Sequence, residues 1–410
     1  MAARWSCTHT TRSDSMARRR GAGCARQGGR HVSRRSCQFD PVPGVFVMKF
    51  LCLVPLRSMM AACVLGTTLG LLPNASQADE VNEVSATQRV NVVDNAGAGQ
   101  RWAEAYIQPS FATLTHAAGN LVKEIQGICA NSGRRDAALL GEAFKNVVDA
   151  WSRVLFLRFG PLVEANRYER ISFWPDVRNV GARQIPKIIG QYEAGQAPEL
   201  SKQSVAVQGL PALEYVLYRE GGLIQAVALG EPFSKVMKAQ CDYAAAIAGN
   251  LVATANELES TWSEQGAYGK AFKQPGPAAA YRSLDEVLSE GIKAMATGLQ
   301  FTSDIQIKPA LTSGNSKLLP YWRSDQTLSA LRAGIVGMRE FMAAGQLSLG
   351  EQGWAQQQFL AELTRADALL QGPEDFEAVA LILDNARALL VQDIAPAAGV
   401  ALGFNALDGD

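Results

Sequence analysis

Histidine is nearly missing from this sequence: there are three in 410 residues, and only His116 lies beyond residue 78. A single imidazole excludes HExxH zinc sites, histidine-rich metal centres and paired-histidine mechanisms within one chain. A Ser-His-Asp triad would rest on His116, which falls nearly opposite the apolar stripe of Leu114, Ala118 and Leu121 and is expected to face solvent. Beyond residue 78 there is no GxxxxGK[ST] loop, no GxSxG elbow, no CxxC and no CxxCH. Nucleotide, serine-hydrolase, dithiol-redox and covalent-haem chemistry therefore lose their usual signals. No apolar run in that region approaches the roughly 20 residues a membrane-spanning helix needs. Strand-like alternation and short-period repeats are missing as well.

Cysteine is scarce in the same region. Five of the seven lie within residues 1–78, leaving Cys129 and Cys241, 112 positions apart. Two buried thiols and one bridge both fit the sequence. In an oxidising compartment, a bridge closing so long a loop adds up to roughly 4 to 5 kcal/mol in the chain-entropy model.

What is present begins with an N-terminal region unlike the rest. From Met48 the sequence MKFLCLVPLRSMMAACVLGTTLGLLPNASQADE carries Lys49 and Arg57, an apolar segment from Met59 to Leu72, and Ser76 and Ala78 flanking Gln77. That layout predicts a secretory signal peptide over 48–78, cleaved after Ala78. A lipoprotein reading through Met60-Ala61-Ala62-Cys63 is weaker, because Arg57 interrupts the apolar run before Cys63 and a second run follows it. Residues 1–47 hold nine arginines and no apolar periodicity. A basic segment ahead of an export signal makes little physical sense, so 1–47 reads as a non-native or disordered extension, and 79–98 as a flexible linker. Without residues 1–78 the chain keeps 28 basic against 37 acidic side chains, a net charge of −9. An acidic exported chain, expected in the periplasm, argues against nucleic acid, which calls for a basic footprint.

The remaining pattern is helical. Phe111, Leu114, Ala118, Leu121, Ile125 and Ile128 alternate spacings of three and four, as do Leu140, Phe144, Val147, Trp151 and Val154. Ile247, Leu251, Ala255, Leu258 and Trp262 mark a third long helix from about 231 to 263. Between the second and third lies an irregular insert, 159–230, rich in Gly, Pro and aromatics, which fits short helices better than strands. The stretch AYGKAFKQPGPAAAY, 267–281, contains Pro275-Gly276-Pro277 and reads as a boundary. Ser283 and Glu286 then have the capping-box form ahead of the stripe Leu284, Leu288, Ile292, Met295 and Leu299. Helices around Leu331 to Met342, Phe359 to Leu370 and Val379 to Leu390 complete the chain. The expected fold is all-α: two antiparallel helical bundles, 99–266 and 281–404, the first carrying the insert.

One residue stands out against this background. In VQGLPALEYVLY, 207–218, a helix wound from Pro211 places Leu210, Leu213, Glu214 and Leu217 on one face, so the carboxylate lies in a buried stripe. A buried carboxylate must be paired, hydrogen-bonded, metal-bound or protonated. Two other stretches offer partners: RYERISFWPDVRN, 167–179, and YWRSDQTLSALRA, 321–333. Arginine's planar fork suits a carboxylate in a partly buried place, which makes Arg170, Arg178 and Arg323 the expected partners of Glu214. The candidate binding residues are Glu214, Tyr215, Trp174, Asp176, Arg178, Arg170, Trp322, Arg323 and Ser324. The blander alternative is that these groups only pin loops to the helices.

FWPDVRN at 173–179, GLPALEY at 209–215 and YWRSDQTLSALRA at 321–333 occur in an order that resembles the imelysin-like family of exported bacterial proteins. That family is linked to iron uptake and was formerly filed among metallopeptidases. The resemblance covers about 99–400 and implies two helical bundles with a site between them. Members proposed to bind metal carry GxHxxE; here the matching positions are Gly209, Pro211 and Glu214, so the imidazole is lost. A first-row metal could then rely only on carboxylates such as Glu214 and Asp176. The expectation is a periplasmic binding component rather than an enzyme, with iron or haem as ligand, or an outer-membrane or periplasmic uptake protein as partner. Two alternatives are an interaction module with no small ligand and a peptidase working through Glu214 and Asp176.

Overall fold

Apolar residues spaced by three and four wind into helix from one end of the described residues to the other. The computed structural model describes residues 94–130 and 136–403, and all of them are helix, turn or irregular, without a strand. The signal peptide, the N-terminal extension and most of the predicted linker lie outside the described residues. α1 (Ala98–Trp102) passes through a π segment (Ala103–Ile107) into α2 (Gln108–Cys129). α3 (Ala137–Val154) begins where the Asp136 side chain accepts hydrogen bonds from Ala138 N and Leu139 N, at 3.0 and 3.2 Å. The predicted insert is a series of short helices: α4 (Arg167–Ile171), α5 (Val180–Glu193), α6 (Leu210–Tyr218) and α7 (Leu223–Ala228). α8 (Lys235–Trp262) is the longest, at 28 residues.

The stretch read as a boundary forms α9 (Ala267–Lys273) and then a turn closed by Gly276 N donating to Tyr281 O at 2.9 Å. Phe272 of α9 is wholly buried and packs on Phe159, Trp262 and Tyr281, with ring centroids 5.7, 5.4 and 5.2 Å away. α10 (Leu284–Gln300) runs through a second π segment (Phe301–Ile307) into α11 (Lys308–Ser313). Only half of its predicted capping box forms. Ser283 Oγ accepts from Glu286 N at 3.3 Å, but Glu286 reaches back to Arg282 N rather than to Ser283 N. α12 (Thr327–Gly345), α13 (Gly353–Leu369) and α14 (Phe376–Leu389) follow.

The stripes are buried as their spacing requires: Phe111, Leu121, Phe144, Val147, Ile247, Leu258, Ile292, Ile335, Phe359 and Leu383 are all 0% exposed. Each such side chain contributes roughly 1.5 to 3 kcal/mol relative to its exposed state. α2 packs on α3 and α8, α3 packs on α12, and α13 packs on α14, so helices from both sides of 267–281 share contacts. His116 lies on the exposed side of α2, as its phase predicts, 3.3 Å from the Asn120 amide.

Two covalent or close-packed ties hold this frame. Cys129 and Cys241 form a disulfide between the end of α2 and the start of α8. Trp102 is wholly buried: its Nε1 donates to Phe341 O at 2.8 Å, and its ring stacks on Phe341 at 4.8 Å. Its ring also fills the space a side chain at Gly291 would need, since a Cβ there would lie 2.6 and 2.7 Å from two ring carbons. α1 is thereby seated on α10 and α12.

Reducing the Cys129–Cys241 bridge, which closes a separation of 112 residues, is expected to lower unfolding stability by up to about 4 to 5 kcal/mol. Urea unfolding with and without reductant measures it, and coincident curves would contradict it. Gly291→Ala is expected to destabilise by about 1 to 3 kcal/mol, because Trp102 cannot move without breaking its stack and hydrogen bond. A lowered urea midpoint is the readout.

Candidate functional site

The site starts from a close crossing of two short helices. A Cβ on Gly209 would sit 2.5 Å from the Ile171 carbonyl carbon and 2.7 Å from Arg170 O, so the start of α6 can meet the end of α4 only with glycine there. Pro211 occupies the first turn of α6, where its missing N–H goes unmissed. Leu210, Leu213 and Leu217 are buried in the core, and their face carries Glu214 with it, 3% exposed.

The partner of Glu214 is a backbone loop, not a guanidinium. Glu214 Oε1 accepts from Arg323 N at 3.1 Å, Ser324 N at 3.0 Å and Ser324 Oγ at 2.8 Å. Successive N–H groups aimed at one point make a small anion-binding concavity, and the loop 320–326 is folded to supply it. Tyr321 and Asp325 both adopt positive φ, 54° and 59°. Gln326 N donates to Tyr321 O at 3.1 Å, and Thr327 Oγ1 donates to Pro320 O at 2.7 Å. Ser324, through its main chain and hydroxyl, and Arg323, through its main chain, therefore hold the Glu214 carboxylate. The expected guanidinium pairs do not form: Arg170 Nη2 donates to Asn250 Oδ1 at 3.3 Å, and Arg178 is exposed and outside the cleft. The Arg323 guanidinium instead lies over Trp322 and Tyr215, 4.3 and 5.5 Å from the ring centroids.

The other candidate carboxylate is likewise committed. Asp176 Oδ1 accepts from Val180 N at 2.8 Å and Oδ2 from Gly181 N at 2.7 Å, which caps the start of α5. Both carboxylates face one cleft of about 260 Å³. Trp174, Asp176, Glu214, Tyr215, Trp322 and Arg323 line it, so six of the nine candidate residues meet there. It draws on residues 173–215 and 317–323, from both sides of the 267–281 stretch. Sequence reasoning missed Lys317, whose Nζ is 5.5 Å from the Trp322 ring centroid, and Tyr321, which lines the inner end of the cleft. Lys317 carried no signal beyond adjacency to a motif, and Tyr321 stood within one, at its first position. Behind Trp174, Pro211, Glu214 and Tyr321 a small inner chamber of about 20 Å³ is closed by Ser172, Phe301 and Gln306.

Burial raises the Glu214 pKa above its ordinary value, and the hydrogen bonds from Ser324 and Arg323 with the Arg323 charge oppose that rise only in part. Burial also pushes the Tyr168 hydroxyl, on the chamber wall, up to about 12. Glu214 Oε2 makes no hydrogen bond among the described residues and is the one uncommitted carboxylate oxygen in the cleft. No group of three or more His, Cys, Asp or Glu side chains among the described residues could hold a metal ion.

A carboxyl group whose folded pKa lies above its unfolded one binds more protons in the folded state. Glu214 thus costs no stability below the ordinary value of 4.5 and costs progressively more as pH rises through its raised folded value. Glu214→Gln keeps an oxygen for the three donors and removes the titration. The stability of the variant relative to wild type is expected to improve as pH rises from 4 to 8 (about these values). Urea midpoints across that range test it; a pH-independent difference would remove the claim.

The Imelysin (Peptidase_M75) family model matches residues 107–406. Among curated proteins none matches. An imelysin-like protein from Psychrobacter arcticum 273-4 shares the fold with a TM-score of 0.61 at 18% identity, over 76% of this chain and 99% of that one. A provisionally named iron-regulated protein A precursor from Parabacteroides distasonis ATCC 8503 does so with a TM-score of 0.58 at 12% identity, over 74% and 94%. At these identities the likeness is one of fold. The match over 107–406, which spans the motifs at 173–179, 209–215 and 321–333, shows that this chain belongs to the imelysin family.

Proposed function

We propose that this protein is an exported, periplasmic binding component associated with iron or haem uptake, which holds its ligand in the cleft around Glu214. The observation that carries the reading is a carboxylate, 3% exposed, fixed on one oxygen by three donors and open on the other to a cleft walled by Trp174, Tyr215 and Trp322. A carboxylate that only pinned a loop would have no need to keep one oxygen turned to an aromatic cleft. Such an oxygen is useful in a residue that meets a ligand. The name of the Parabacteroides distasonis protein, iron-regulated protein A precursor, supports the association with iron.

A peptidase needs a nucleophile or an activated water, with a base in reach. Glu214 spends one oxygen on the 320–326 loop, Asp176 spends both on α5, and His116 stands on exposed α2 away from the cleft lining. Those commitments favour binding over hydrolysis. The same chemistry bears on a resident iron ion, which wants several oxygen, nitrogen or sulfur donors. One free carboxylate oxygen beside the unpaired cations Lys317 and Arg323 does not fit that demand.

A specific observation favours a second reading, a protein-interaction module. Val177 and Leu318, on the cleft lining, are 83% and 43% exposed, an apolar rim suited to another protein. Calorimetric titration of the exported chain with ferrous sulfate, ferric citrate and haemin separates the two. Saturable binding of at least one form, weakened in Trp322→Ala, is expected. Lack of saturable binding by all three would leave the interaction module as the better account.

A further inference from the structure

The polar groups that face the cleft are unevenly committed. Both acids are hydrogen-bonded where they stand: Asp176 by two N–H groups at the start of α5, and Glu214 by three donors of the 320–326 loop. The donors are not. Lys317 and Arg323 form no ion pair among the described residues, and both lie against the Trp322 ring. Tyr321, 7% exposed, closes the cleft at its inner end, where the residue lines both the cleft and the inner chamber. Against these two cations, the acidic side chains of the cleft offer one oxygen without a hydrogen bond among the described residues, Glu214 Oε2. With the acids occupied and the cations free, the cleft favours an acceptor-rich, negatively charged ligand over a bare cation. The walls add a second preference. Trp174, Tyr215 and Trp322 present aromatic surface, and the guanidinium stacked on Trp322 is itself planar.

We propose that the cleft recognises a flat, unsaturated organic anion, and that iron reaches it enclosed in such an anion rather than as a bare ion. This rests on the reading of the cleft as a ligand site and adds the class of ligand. Lys317 and Arg323 hold the acidic groups of the ligand at the mouth, and Trp322 and Trp174 flank its body. A volume of about 260 Å³ takes part of a macrocycle and leaves its far edge in solvent.

Metal-free protoporphyrin IX is the probe, because it has the flat body and two carboxylates and lacks the iron. Quenching of tryptophan fluorescence reports its binding, since Trp174 and Trp322 line the cleft. The expected result is saturable binding that weakens with added salt. The dimethyl ester, with the same rings and no charge, is expected to bind about tenfold weaker or worse, the change that one charge-assisted hydrogen bond is worth. A double variant, Lys317→Ala with Arg323→Ala, keeps the backbone N–H that holds Glu214 and is expected to lose a similar factor. Equal binding of acid and ester to the wild-type protein would mean adventitious stacking and would overturn the inference even if the variant failed to fold. Saturable binding of ferrous sulfate with none of the porphyrin would overturn it while leaving the ligand site in place. No binding of the porphyrin, ferrous sulfate, ferric citrate or haemin would overturn both.

Discussion

The site depends on one contact: a carboxylate taken out of water and met by the main chain of a loop more than a hundred residues away. Glu214 loses hydration by burial, and the three hydrogen bonds to Oε1 return only part of it, which is why its pKa stays raised. The loop 320–326 gains an anchor in exchange. Without an anion at its centre, the N–H groups of Arg323 and Ser324 would converge on nothing, and the positive φ values at Tyr321 and Asp325 would have little to hold them. Each partner thus supplies the reason for the other's conformation, and the cleft lies on the side of Glu214 that this bargain leaves open.

The frame around that contact is built to stay put. α6 is held against α4 by the absence of a side chain at Gly209. The Cys129–Cys241 bridge joins α2 to α8, against which α6 also packs. From the other direction, Trp102 fixes α1 on α10 and α12, and α12 begins immediately after the Glu214-binding loop. Close-packed interiors yield little to compression, so the carboxylate and its loop keep their register. A site assembled from three distant stretches needs such support more than one carried on a single helix.

Much of the fold was legible because the dominant signal, three-four apolar spacing, is the same property that burial selects. Phe111 to Ile128 and Phe359 to Leu370 are buried where their phase puts them. The burial of Glu214 was legible for the same reason, as a charged residue riding on an apolar face. Its partner was not. Side-chain chemistry pointed to arginine, but two of the three donors are backbone N–H groups, which every residue has and no letter announces, and the third is the Ser324 hydroxyl. The loop geometry that aims them needs positive φ at a tyrosine and an aspartate, neither a glycine, so the usual mark of such a turn is absent. Asp176 was misjudged in a similar way, since its two oxygens serve the first turn of α5 and not a cation. The half-formed capping box at Ser283 shows the same limit, with Glu286 bonding one residue further back than the pattern implies.

The inner chamber behind Trp174 and Tyr321 has room for little more than one water-sized molecule, at about 20 Å³. It acts as a floor. With Ser172, Phe301 and Gln306 closing it from below, nothing larger can descend past Trp174 and Tyr321, and the depth of the cleft is set at that level.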